Sequence, residues 1–342
     1  MPGRWGEGLA TMRSLATQFP VQLVDGFRSG EELGAAVPRS TQGAFLVGMG
    51  GSAIAADLAR VLIDPETDLR LSVVRSPELP LAAGGHALTI LASYSGNTWE
   101  TLSAYTEAGR RGTRRIAMSS GGELARRAEQ DGVPFLQLPP GMPPRCAAGF
   151  MLGSLLGLFD RFFPESNDAR IRRTSRHVQE LQRSLLSTRG AAARMATRVG
   201  SRLPFVCTES GFGPLARRWK TQIEENAKRI AIYDEFPELW HNAIVGWDAA
   251  PARATRAIAV LMLEWSGASA MTQKGLRYFE RLLKNRRILV APVALDPEDR
   301  LEALMTGISF GDHFSLFLAE QAHVDPYGID AISRFRKAMA AP

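Results

Sequence analysis

Along the first 140 positions, short apolar runs alternate with stretches whose apolar residues recur every three to four positions. Ala44 to Gly48 is an apolar run that predicts a strand, and Ser52 to Leu62 behind it has helical spacing. Leu71 to Arg75 and Ala87 to Ser93 predict two more strands, and Thr98 to Arg110 a helix. Arg115 to Ser119 predicts a strand, Glu123 to Gln130 a helix and Pro134 to Leu138 a strand. Strand and helix in regular alternation predict a parallel sheet with helices on both faces. The proline-rich stretch from Leu138 to Arg145 reads as a rigid connector into an apolar helix at Ala147 to Phe163. Residues 166–200 are charged and helical in pattern. The alternation then resumes with a strand at Pro204 to Thr208, a turn at Ser210 to Pro214 and a helix at Leu215 to Arg229. A strand at Ala257 to Glu264, a helix at Met271 to Leu283 and a strand at Ile288 to Val293 follow, then helices at Leu301 to Ala322 and Ile329 to Ala340. Both halves run strand, Gly/Ser turn, helix. The expected organisation is two related α/β subdomains, residues 1–165 and 201–342, each a mainly parallel sheet between helical layers, joined by the helical segment 166–200.

Composition changes this picture little. The chain has 342 residues, enough for two medium domains, and its 45% hydrophobic content is ordinary for a globular protein. No window has the long uncharged run of a membrane span, and the first residues lack the apolar stretch of a signal peptide, so a cytoplasmic protein is expected. The two cysteines, Cys146 and Cys207, are far apart and form no metal-like spacing; both are expected to be reduced and buried. The net charge of +6 is almost all arginine, with only five lysines among 41 basic residues. The arginines are dispersed, and the cluster Arg170-Ile171-Arg172-Arg173 reads as a solvated helix face. No nucleic-acid partner is expected; a sugar phosphate would also favour a basic pocket.

Two turns carry the chemistry. Ser93-Tyr94-Ser95-Gly96-Asn97-Thr98 joins a strand to a helix. A helix N-terminus has free N–H groups and partial positive charge, so it attracts anions. Hydroxyls at Ser93, Ser95 and Thr98 could add hydrogen bonds to phosphate oxygens. One of them would suffice for an ordinary helix cap; three exceed that need. The earlier loop, Gly48-Met49-Gly50-Gly51-Ser52-Ala53, formally matches a dinucleotide fingerprint, and Arg75 at the end of the next strand could suit a 2′-phosphate. Two adjacent turns, one offering backbone N–H groups and one hydroxyls, suit a small sugar phosphate better. Arg145 follows Pro143-Pro144, either as a surface or capping arginine or as a fixed cation beside a ligand. In Glu224-Glu225-Asn226-Ala227-Lys228 the two carboxylates face different sides of a helix. One could pair with a neighbour such as Lys228 and the other act as a general base. His241 follows in a loop near Pro237 and Asn242. His86, His177, His313 and His323 are expected to be structural or exposed. No metal-binding spacing is present, and no metal is expected.

These segments, with Lys220-Thr221-Gln222-Ile223 and Glu235-Phe236-Pro237-Glu238-Leu239-Trp240-His241-Asn242-Ala243-Ile244-Val245-Gly246-Trp247, resemble the bifunctional phosphoglucose/phosphomannose isomerases, a family of the sugar isomerase (SIS) domain proteins. The resemblance runs in order over nearly the whole chain. It implies two SIS-type subdomains and a homodimer with active sites near the subunit interface. It implies phosphate held by Ser93, Ser95 and Thr98, with Gly50, Gly51 and Ser52 lining the sugar. Glu225 matches the catalytic base, His241 the histidine of ring opening, and Arg145 the arginine that steadies the enediolate. The family's C-terminal lysine aligns with Arg336, with Lys337 next to it. Either the Arg336 charge suffices, or Lys337 takes the role by a register shift, or activity is weakened; an arginine is not a proton donor near neutral pH.

The function this implies is an aldose–ketose isomerase converting glucose 6-phosphate, and also mannose 6-phosphate, to fructose 6-phosphate through a cis-enediol. Hydride never leaves the substrate, so no redox cofactor is called for. The alternatives are a non-catalytic sugar-phosphate-binding SIS protein and an NADP-dependent oxidoreductase built on the loop at 48–53.

Overall fold

The computed structural model describes residues 4–85, 87–297 and 299–340. By packing, the chain falls into two compact units. One holds Gln18–Glu180 with Asp299–Met305, and the other Met1–Thr17, Leu181–Glu298 and Thr306–Pro342. The helical segment expected to link the subdomains is thus divided, and helix Asp168–Leu185 runs across the boundary at 180.

The first unit contains strands β1 (Gly43–Val47), β2 (Arg70–Val74), β3 (Leu88–Ala92), β4 (Arg114–Ser119) and β5 (Phe135–Gln137). They form one parallel sheet in the order β2-β1-β3-β4-β5. Every residue of β3 is buried, as a central parallel strand covered on both faces must be. Val47, Leu91 and Ala117 turn to one face and pack with Tyr105, Ala108, Leu124 and Ala128 of helices Trp99–Arg110 and Gly122–Asp131. Leu46, Ile90 and Ile116 alternate to the opposite face and are equally buried. The strand order reverses between β1 and β3, which opens a crevice at their C-terminal ends. The glycine loop leaves β1 there and the serine turn leaves β3.

Beside the sheet, helices Phe19–Leu33 and Ala148–Leu158 touch backbone to backbone. Gly26 and Gly30 on one helix, and Gly153 and Gly157 on the other, sit four residues apart. A Cβ at Gly26, Gly30, Gly153 or Gly157 would lie 2.0, 2.0, 2.1 or 2.0 Å from the carbonyl oxygen of Phe150, Ser154, Leu23 or Phe27. Only glycine permits that approach. The apolar pattern predicts the second helix but gives no hint of this contact, nor of helices Arg4–Thr17 and Phe19–Leu33.

In the second unit, β6 (Leu203–Glu209), β7 (Ile232–Phe236), β8 (Ile258–Trp265) and β9 (Leu289–Leu295) form a parallel sheet in the order β7-β6-β8-β9. Its core includes Phe205, Cys207, Phe236, Val260, Met262, Phe279 and Leu283. The α/β, two-sheet expectation therefore holds. The sequence pattern omits β7 because Ile232-Tyr233-Asp234-Glu235-Phe236 is an edge strand, only half-buried and carrying two carboxylates, as exposed edges commonly do.

Among the described residues no helix is long and apolar enough to cross a membrane. Cys146 and Cys207 are both buried, and neither forms a disulfide. Arg170 departs from the expected solvated face. Its guanidinium is bonded to Glu66 at 2.7 Å and to Asp299 at 2.8 Å, with 18% of the side chain exposed.

Candidate active site

The serine turn is organised by its own hydroxyls. Ser93 is 2% exposed, and its Oγ lies 2.8 Å from Thr98 Oγ1. Ser93 Oγ also accepts from the Thr98 N–H at 3.4 Å, and Ser95 Oγ from the Asn97 N–H at 3.3 Å. Thr98 is the N-cap of helix Trp99–Arg110, yet its side chain makes no cap bond. The Ser93 and Thr98 hydroxyls are directed at each other across the turn, unlike those of an ordinary cap, while Ser95 Oγ faces the Asn97 N–H. Ser95 is exposed and Thr98 half-buried, so the turn presents oxygens to solvent above a buried base.

The turn after β4 clamps this one. Gly96 has φ +69°, and a Cβ there would lie 1.8 Å from the Gly121 carbonyl oxygen. Gly122 has φ +74°, and a Cβ there would meet the Ser95 carbonyl oxygen at 2.4 Å. The Leu124 N–H donates to the Gly96 carbonyl at 2.9 Å, and the Glu123 N–H to Asn97 Oδ1 at 3.0 Å. Sequence reasoning passes over Gly121-Gly122; the paired glycines before a helix are the signal that was available.

The glycine loop adjoins on β1. Helix Gly50–Glu66 begins two residues earlier than its apolar spacing indicates. Gly50 has φ +50° with open space beside it, and a Cβ on Gly51 would lie 2.7 Å from the Pro144 carbonyl oxygen. Ser52 is 3% exposed, and its Oγ accepts from the Tyr94 N–H at 3.3 Å, which ties this loop to the serine turn. Arg145 sits in the short turn Pro144–Cys146 and is 3% exposed, so it is not a surface arginine. Arg75 is ion-paired with the buried Asp57, which engages the cation that a 2′-phosphate would need and weakens the dinucleotide reading.

The remaining candidates belong to the second unit. Glu225 is half-buried on helix Gly213–Ala227. Glu224 pairs with Lys220 at 2.7 Å, one turn back, and not with Lys228. Lys228 ends the helix in a left-handed conformation, φ +55°, and its Nζ donates to the Glu225 carbonyl at 2.5 Å and the Gly328 carbonyl at 2.6 Å. The helix is anchored by its buried face. Arg218 bonds Asp312 at 2.7 and 3.0 Å, Gln222 bonds the same carboxylate at 2.8 Å, and Asn226 donates to Ser315 at 2.9 Å. Arg218, Gln222 and Asn226 recur every four residues, so one stripe fixes the rotation that sets where Glu225 emerges. Sequence reasoning misses this stripe because Asp312 and Ser315 lie some 90 residues away.

His241 is exposed. It closes the one-turn helix Glu238–His241 instead of lying in a loop. Asn242 then caps helix Ala243–Ala249 and donates to Glu238 at 2.7 Å. Arg336 and Lys337 fall on helix Asp330–Ala340, and their side chains lie outside the described residues, as does His86. Among the described residues no group of His, Cys, Asp and Glu could hold a metal ion.

Parallel sheets wound in this order, with a hydroxyl-bearing turn at the strand reversal, fit an SIS-domain protein. Residues 189–339 match the bacterial phospho-glucose isomerase C-terminal SIS domain. The chain is 32% identical over 301 residues to the bifunctional phosphoglucose/phosphomannose isomerase of Caldicellulosiruptor bescii, covering 86% of this chain and 88% of that one. It is 30% identical over 303 residues to the enzyme of the same name from Aquifex aeolicus, covering 86% and 90%. In fold it is similar to a hypothetical protein of Thermus thermophilus, with a TM-score of 0.73 at 15% identity over 99% of this chain and 96% of that one. The chain belongs to the bifunctional phosphoglucose/phosphomannose isomerase family.

Proposed function

We propose that this protein is an aldose–ketose isomerase that converts glucose 6-phosphate and mannose 6-phosphate to fructose 6-phosphate, acting in the cytoplasm as a homodimer with active sites near the subunit interface. The observation that carries the reading is the Ser93–Thr98 hydroxyl pair at the strand reversal, in a chain of this family. Ser93, Ser95, Thr98 and the neighbouring N–H groups hold the phosphate, and Gly50, Gly51 and Ser52 line the sugar. Ring opening moves a proton from O1 to O5, with His241 as the shuttle. The Glu225 carboxylate takes the proton from C2, leaving a cis-enediol, and returns it to C1. Arg145 supports the oxyanion that develops, and Arg336 or Lys337 adds positive charge. Glucose and mannose differ only at C2, and both give the same enediol once that proton has left. A site tolerant of both faces of C2 would therefore accept both. The non-catalytic reading is not favoured, since relatives over most of the chain are named as isomerases.

The test couples fructose 6-phosphate formation to a reporter for each aldose. Each should inhibit turnover of the other competitively, with an inhibition constant equal to its own KM. Glu225→Gln should lower kcat for both by about 10²–10⁴-fold, the range of a general base, with inorganic phosphate still bound. A wild-type protein that binds a hexose phosphate and turns over neither aldose would sink the reading.

A further inference from the structure

We propose that Tyr94 is a positioning residue of this site, its phenol setting where Arg145 stands relative to the phosphate-holding turn. The proposal rests on the isomerase reading above. Tyr94 lies between two of the proposed phosphate-holding serines, but the residue is only 9% exposed. The hydroxyl donates to the Pro139 carbonyl at 2.8 Å and accepts from the Met142 N–H at 3.0 Å. One phenol therefore bridges both ends of the Pro139–Met142 bend. The backbone of Tyr94 reaches the other two supports. Its N–H donates to Ser52 Oγ at 3.3 Å, and its carbonyl accepts from the Ser120 N–H at 2.9 Å and Oγ at 2.6 Å. This single residue joins the glycine loop, the clamp after β4 and the connector to the serine turn.

The connector is built to transmit that constraint. Pro143 and Pro144 have φ locked by their rings, which leaves few torsions to absorb a shift at Met142 before it reaches Arg145. Downstream, the Pro144 carbonyl and the Arg145 N–H press on Gly51: a Cβ there would lie 2.7 and 3.0 Å from them. The connector is thus held by steric contact at Gly51 and by hydrogen bonds at Tyr94. A phenylalanine would fill the same core volume. What the hydroxyl adds is a defined distance between the group that holds the phosphate and the cation that meets the developing charge, a separation on which rate depends steeply.

Wild-type turnover is measured first; if it is absent for both aldoses, the isomerase reading fails on its own account. With wild-type turnover present, Tyr94→Phe should lower kcat by about tenfold or more, because a misplacement near 1 Å can cost about 10²-fold. The inhibition constant of inorganic phosphate should stay within about twofold, since the hydroxyls that hold it are untouched. In an Arg145→Ala background the same change should lower kcat no further, because residues that act through one another are not additive. Pro143→Gly, which loosens the link beyond Met142 and leaves the phenol alone, should also lower kcat with phosphate inhibition preserved; it serves as the test should Tyr94→Phe not fold. An unchanged kcat in the folded variant, with or without a lower Tm, overturns the proposal. So does a full additional loss in the Arg145→Ala background.

Discussion

At the scale of single residues, what decides a side chain's role is its partner. Glu224 and Glu225 are adjacent and chemically alike; Glu224 pairs with Lys220 at 2.7 Å, and the helix that carries both is pinned by Arg218, Gln222 and Asn226. His313 is the opposite case. It is 2% exposed, and neither ring nitrogen has a hydrogen-bond partner among the described residues. Burial pushes its pKa down from 6.5 to about 4; Arg13 adds to the shift and Asp312 opposes it. The unfolded chain then binds a proton below about pH 6.5 that the folded chain refuses until about pH 4. The stabilisation is complete above the higher value and is lost as pH falls through this window. From pH 7 to 4.5 this histidine should cost on the order of 2 kcal/mol of stability. Urea unfolding at the two pH values, for wild type and His313→Leu, measures it; a variant with the wild-type slope would show that the imidazole is not the source.

At the scale of elements, glycines decide which backbones meet. The serine turn keeps its shape because Gly96 and Gly122 let two turns interlock. The helix pair Phe19–Leu33 and Ala148–Leu158 depends on the same freedom. In an exposed helix, Gly→Ala gains about 1 kcal/mol from lower backbone entropy in the unfolded chain. At Gly153 the methyl would collide with a backbone oxygen 2.1 Å away, and backbone cannot rotate aside as a side chain can. Gly153→Ala should therefore lower stability by about 2 kcal/mol or more. Gly246→Ala, on helix Ala243–Ala249 with nothing within 4 Å, should be neutral or stabilising. Denaturant midpoints at matched m-values separate the two; equal signs would mean that the helix contact is looser than described.

At the scale of the whole molecule, two units each carry a parallel sheet whose strand order reverses once. The residues assigned to phosphate belong to one, and Glu225 and His241 to the other. The second unit leaves Ile230, Val245, Met271 and Phe335 between 65% and 75% exposed. Apolar side chains exposed singly are ordinary on a protein surface and do not decide assembly, so the proposed homodimer is tested by mass. Sedimentation equilibrium should return about 75 kDa, twice the 37.3 kDa of the chain, at micromolar concentration. A monomer mass with full turnover would exclude a shared site. The protein's positive charge gives no independent guide, because Arg170, which looked solvated, is spent on Glu66 and Asp299.

The alternation of apolar runs and amphipathic stretches was enough to determine the two parallel α/β units, because buried parallel strands must be continuously apolar and their crossover helices one-sided. It was also enough to single out Ser93, Ser95 and Thr98, since three hydroxyls at one helix start exceed what a cap uses. Local pattern could not reach β7, whose half-exposed edge position frees it from the apolar rule. Nor could it reach the contacts joining residues distant in the chain: Tyr94 to Pro139 and Met142, Gly96 to Gly121, Arg218 to Asp312, Gly153 to Leu23. Such contacts leave no periodic trace, because each partner obeys only its own element's pattern. Tertiary structure alone decided which strands are neighbours, and so which two turns share the crevice between β1 and β3.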